Sequence, residues 1–168
     1  GACHVPTASS RHSFTLAAGK QELCRLCHVQ SLQTHVHKPV ADGDCTGCHS
    51  PHGSDYRFFL LGDPAGGVCF RCHPAGRFQD KKHVHGPVAA GACMVCHEAH
   101  SSWRPKLLAR SDENLCDLCH HEITARLQTA RHPHEPALAR ACTTCHDPHA
   151  SDHPAQLREL PRELGLSC

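Results

Sequence analysis

Two stretches of the chain carry apolar residues at helical spacing. In QELCRLCHVQSLQTH they are Leu23, Leu26 and Leu32, and in ENLCDLCHHEITARLQTA they are Leu115, Leu118, Ile123 and Leu127. Each pattern predicts a short helix. The Pro- and Gly-bearing stretches HKPVADGD, HGPVAAGA and GDPAGG punctuate the chain, and stretches of that kind read as loops. The predicted fold class is mostly irregular, with a few short α-helices and almost no β-sheet.

Composition makes a conventional interior difficult to build. The apolar fraction of 39% includes 14 Cys, while only five Phe, one Tyr, one Trp and one Met serve 168 residues. That is too thin for a side-chain core at this length. The chain also carries 19 His, so sulfur and imidazole are expected to bind whatever fills the interior. A formal charge of +1 and the lack of a basic run with interleaved aromatics argue against nucleic-acid binding. No apolar run is long enough for a transmembrane segment.

The cysteines identify the bound group. Every CxxC pair is followed at once by histidine: Cys24, Cys27 and His28; Cys45, Cys48 and His49; Cys69, Cys72 and His73; Cys93, Cys96 and His97; Cys116, Cys119 and His120; Cys142, Cys145 and His146. This is the c-type haem attachment signature. Two thiols two residues apart add to the two vinyl groups of one porphyrin, and the adjacent histidine supplies the proximal imidazole. A structural zinc site would need two such pairs per metal and no histidine after each. A disulfide framework leaves the six histidines unexplained, and thioredoxin-like chemistry wants one CxxC in a βαβ setting.

The flanks of the motifs alternate. A first type reads ELCRLCH, GVCFRCH and NLCDLCH; a second reads GDCTGCHSPHGS, GACMVCHEAHSS and RACTTCHDPHAS; between them lie HVHKPV, HVHGPV and HPHEPA. The chain thus contains three two-haem repeats, at about 20–63, 64–110 and 111–160. Over about residues 20–160 it resembles the multihaem cytochromes c with the doubled CxxCH motif. The resemblance implies bis-histidine haems packed in close pairs, electron transfer, and export to the periplasm or beyond.

Three further histidines recur in each repeat: His35, His37 and His52; His83, His85 and His100; His132, His134 and His149. Two haems need two distal ligands, so one candidate per repeat is surplus. A histidine three residues past the proximal one cannot cross its own porphyrin, so His52, His100 and His149 must reach a neighbouring haem. The resemblance favours the histidine before x-Pro as the other ligand, namely His37, His85 and His134, with His35, His83 and His132 as alternates. His121 and His153 are expected to be structural. Arginines outnumber lysines twelve to five, and some of them are expected to pair with haem propionates.

The remaining cysteines lie near the chain ends. Cys168 follows His149 by 19 residues, where the first cysteine of a first-type motif is due after intervals of 17 and 16 in the other repeats. Read on into Gly1, Ala2, Cys3 and His4, it completes CGACH. The expectation is a single heptahaem unit over 1–168, with seven haem c and a seventh site shared between Cys168 of one copy and Cys3 and His4 of the next. His12 is its expected distal ligand, with His153 as runner-up.

At about one haem per 24 residues, neighbouring porphyrins must nearly touch. The expected function is an electron conduit and not an enzyme, resembling extracellular cytochrome filaments. Expected partners are copies of itself end to end or covalent tandem repeats, other redox proteins and extracellular acceptors. The alternatives are a discrete periplasmic carrier, or a multihaem reductase with one open haem.

Overall fold

Each complete CxxCH motif is closed by a backbone hydrogen bond from the histidine N–H to the carbonyl of the first cysteine. These bonds measure 2.8 Å at His28, 2.9 Å at His49 and His146, and 3.0 Å at His73, His97 and His120. One such turn sets both cysteines three residues apart on one helical face. The first-type motifs lie on helix Lys20–Arg25, on the 3-10 turn Cys69–Arg71, and across helices Asp112–Leu115 and Asp117–Thr129. The second-type motifs lie on 3-10 turns Cys45–Gly47 and Cys93–Val95 and on helix Cys142–Cys145. The computed structural model describes residues 2–7 and 13–167. Gly1, His12 and Cys168, which the split-site expectation invokes, lie outside the described residues.

The first helix is shorter than its leucine spacing suggests. It ends at Arg25, and Leu32 lies beyond it. Past His28 there is nothing to pack a longer helix against: Val29 is 92% exposed, and a short helix without a buried face is marginal. The second stretch is helical over most of its length but bends at His120, whose φ of −104° and ψ of 25° break the helix at the motif's own histidine.

Among the described residues, sheet is confined to three two-stranded antiparallel ladders. Strand β1 (His4–Pro6) pairs with β2 (Phe14–Leu16), β3 (His35–Val36) with β5 (Ser101–Ser102), and β4 (His83–Val84) with β6 (Ala150–Ser151). The last two tie successive repeats together. They continue through the His37 N–H to the His100 carbonyl and the His85 N–H to the His149 carbonyl, each 2.9 Å.

After every second-type motif the chain loops out and returns to it, with bridges from His49 to Leu60, His97 to Leu108 and His146 to Leu157. A serine hydroxyl organises each loop. Ser54 donates to the Leu60 carbonyl, Ser102 to that of Leu108 at 2.5 Å, and Ser151 to that of Leu157. In return each hydroxyl oxygen accepts a backbone N–H at 3.0 Å, from Tyr56, Arg104 and His153.

Among the described residues these serines form the nearest thing to an interior. Ser102 is 2% exposed, Ser151 7% and Ala150 9%, while Phe58, Leu26 and Trp103 are each at least 68% exposed. The accessible surface of 12251 Å² is about half as large again as the ~8100 Å² expected of a compact chain of this mass. The polypeptide is not packed around an interior of its own side chains.

The buried hydroxyl gives a direct test. Replacing Ser102 with alanine strands the Arg104 N–H and the Leu108 carbonyl, which costs about 1–3 kcal/mol, whereas Ser54→Ala at an exposed position costs under about 0.5 kcal/mol. Chemical unfolding of the two variants measures the difference.

Candidate functional site

Histidine rings meet in pairs across the repeats. The ring centroids of His37 and His73 are 6.2 Å apart, those of His49 and His100 6.0 Å, of His85 and His120 6.0 Å, of His97 and His149 6.0 Å, and of His4 and His52 5.8 Å. In each of the first four pairs one ring belongs to a complete motif and the other comes from the adjoining repeat.

The spacing suits a metal held between two rings. Metal–imidazole bonds are about 2 Å long and the bonding nitrogen lies about 1 Å from the ring centre, so two rings ligating one iron from opposite sides sit about 6 Å apart. Among the described residues no three His, Cys, Asp or Glu side chains gather to hold a bare ion, and a structural zinc needs four ligands. The paired rings, the neighbouring cysteines and the missing side-chain interior together fit haem.

It is His37 and His85 whose rings face a proximal histidine. Their neighbours His35 and His83 are half-buried in strands β3 and β4. The ring facing His4 is that of His52. This repeats the way His49 meets His100 and His97 meets His149, so His4 stands in the register of a second-type motif. Among the described residues no second histidine ring faces His28, His146, His132, His134 or His153.

Backbone carbonyls hold several of these rings. His49 Nδ1–H donates to the Phe58 carbonyl at 2.7 Å, His97 to that of Lys106 at 2.9 Å and His146 to that of Ala155 at 2.8 Å. Just beyond strands β3 and β4, His37 donates to the Ala99 carbonyl and His85 to that of Pro148, both at 3.0 Å. A carbonyl can only accept, so Nδ1 carries the proton and Nε2 keeps its lone pair for a metal. Sequence reasoning missed these loops. Their signal is a serine two residues past His52, His100 and His149, with a leucine six residues further on.

Burial holds the His100 and His149 imidazoles below the usual histidine range. The charges of His49 and His37 add to this at His100, while Asp147 opposes it at His149. A ring kept neutral is one able to ligate.

The thiols of successive motifs lie side by side. Cys24 lies near Cys45, Cys69 near Cys93 and Cys116 near Cys142, close enough for the second thiol of each pair to add to burial in raising the pKa of the first. Burial first, and then the neighbouring thiol, pushes Cys69 and Cys116 up to about 11. Burial followed by the charge of Cys72 raises Cys48, and burial followed by that of Cys119 raises Cys96. Groups attached through these sulfurs adjoin one another from motif to motif. Of the arginines expected to clamp propionates, Arg140 pairs with Asp117, and Arg158 lies 3.7 Å from Asp147. No helix among the described residues is long and apolar enough to cross a membrane.

No curated protein matches the chain. The model of the doubled CXXCH motif family matches it three times, over residues 37–78, 85–125 and 134–168, more than half of its length. Each match begins at the histidine that opens a short helix, His37, His85 or His134, and the first two of these face a first-type motif. The chain belongs to the doubled CXXCH motif family and is a multihaem c-type cytochrome of electron transfer, with haem bound covalently at its CxxCH motifs.

Proposed function

We propose that this cytochrome carries electrons along a continuous series of bis-histidine haems, as one repeat of an extracellular conductive filament. The observation that carries the reading is the set of histidine pairs 5.8–6.2 Å apart, which join each repeat to the next. Haem c supplies a one-electron iron couple when bound. Everything else the site needs comes from the chain.

The six complete motifs supply the thioether cysteines and the proximal histidines. The distal ligands are assigned by the facing rings: His100 to the site of His49, His149 to that of His97, His37 to that of His73 and His85 to that of His120. A seventh site is assigned to Cys3 and His4, with His52 opposite. Its register is second-type, whereas the spacing of Cys168 is first-type, so the two are not combined here into one motif. His134 keeps the role of distal ligand to a first-type motif. An imidazole on each side leaves no iron position for a substrate, which favours a conduit over a reductase.

The side-by-side thiols support close contact between successive haem edges. The filament reading is supported by the recurrence of the interlock: the first and second repeats exchange ligands in both directions, His37 for His100, and the second and third do the same with His85 and His149, an arrangement that extends to further copies or covalent tandem repeats. The protein then acts outside the cytoplasm, and its partners are other redox proteins or extracellular acceptors.

Spectra test the ligand assignment. His100→Ala is expected to create one high-spin haem per chain that binds CO, while the native protein binds none and His35→Ala leaves the spectrum unchanged; CO uptake by the native protein would support the reductase instead. Replacing Cys93 and Cys96 together with serine is expected to lower the pyridine haemochrome yield by one haem per chain. Electron microscopy of native material distinguishes filaments from discrete particles, and the latter outcome would favour a periplasmic carrier.

A further inference from the structure

Seven described residues other than glycine have left-handed backbone torsions, and six of them form adjacent pairs: Phe58 with Phe59 (φ 59° and 54°), Lys106 with Leu107 (57° and 57°) and Ala155 with Gln156 (54° and 53°). Left-handed torsions are unfavourable for any residue bearing a Cβ, and strain of this kind persists where the surrounding structure enforces it. The same strain recurs at the same place in all three repeats. None of the six is Gly, Asn or Asp, the residues that tolerate it best.

Each pair turns two consecutive carbonyls toward the second-type motif. The first accepts the Nδ1–H of His49, His97 or His146. The second, from Phe59, Leu107 or Gln156, accepts the backbone N–H of Ser50, Glu98 or Asp147 at 2.7 Å. The two bonds fix both the ring and the backbone just after it.

In the first-type pairs the held ring is the opposite one. His37 and His85 are held by Ala99 and Pro148, while among the described residues no hydrogen bond reaches the ring nitrogens of His73 or His120. Likewise none reaches His100, and His149 Nδ1 is 3.9 Å from Asp147. Each of these four facing pairs therefore contains one carbonyl-held imidazole and one that is not.

Resting on the bis-histidine reading above, we propose that the left-handed pairs are positioning devices for the second-type haems, and that with the Ala99 and Pro148 carbonyls they give each of these four facing pairs one hydrogen-bonded imidazole. A hydrogen bond at Nδ1 orients a ligating histidine and makes it a stronger donor to the metal, which lowers the iron's potential. One such bond per haem levels donor strength along the array and keeps successive irons close in potential. Phe58, Lys106 and Ala155 act through their backbones, so their side chains can vary while the conformation stays fixed.

Two experiments on the haem-loaded protein test this, after haem content and a low-spin spectrum have been confirmed; failure at that first step would refute the haem reading and not the positioning role. In the reduced, 15N-histidine-labelled native protein, the Nδ1–H protons of His37, His49, His85 and His97 should exchange slowly and those of His73, His100, His120 and His149 rapidly. At exposed position 106, Lys106→Gly should keep every midpoint potential, because glycine adopts the left-handed form freely. Lys106→Val, stiff at χ1 and ill-suited to positive φ, should shift one haem to a more positive potential and speed exchange at His97. A fully loaded Lys106→Val protein with unmoved potentials would overturn the proposal, as would equal protection of both ring sets. If Lys106→Val does not load haem, the exchange pattern of the native protein decides alone.

Discussion

Two imidazoles from different repeats, their rings held about 6 Å apart, are the interaction on which this architecture rests. The geometry needs three things together: a one-turn CxxCH motif that presents its histidine outward, a strand that brings the second histidine from the adjoining repeat, and a carbonyl that fixes which nitrogen faces inward. The two-residue ladders look negligible as sheets. Their value lies in register, because β3 with β5 and β4 with β6 place His37 beside His100 and His85 beside His149. On the proposed assignment, one ladder thus positions ligands for two different haems.

Such a chain gains little from ordinary burial. With Ala150 the sole buried apolar residue among those described, hydrophobic transfer cannot offset the entropy of ordering the backbone. Cofactor binding takes over that role, as it does in small metal-built domains where ligation energy is folding energy. The exposed Phe58, Val29, Leu26 and Trp103 are then surfaces available to flat porphyrin faces or to neighbouring chains, and the polypeptide is a set of brackets around the stack.

Much of this was legible in the sequence, because attachment chemistry demands fixed spacing. CxxCH names its own cysteines and proximal ligand, and the alternation of flanks reveals the repeats. The choice of His37 over His35 was legible through family resemblance alone, since both sit in one short segment and only the ladder register separates them. The left-handed pairs were not legible at all. Phe, Lys and Ala carry no local signal for positive φ, and the conformation is imposed by hydrogen bonds that close across the loop. The register of His4 was hidden because Thr7 stands where the other second-type motifs have histidine; the structure reveals it through His52, far along the chain.

The crossing of ligands between repeats also bears on durability. On the ligand assignment proposed above, the haems of His49, His73, His97 and His120 would each be fastened by thioethers to one repeat and by iron to the adjoining one, so that the cofactor joins consecutive repeats as well as the peptide backbone. A protease that cuts one of the exposed loops severs a single connection of several. On that reading a nicked molecule would keep its fragments together, held by the cofactor where the backbone no longer joins them.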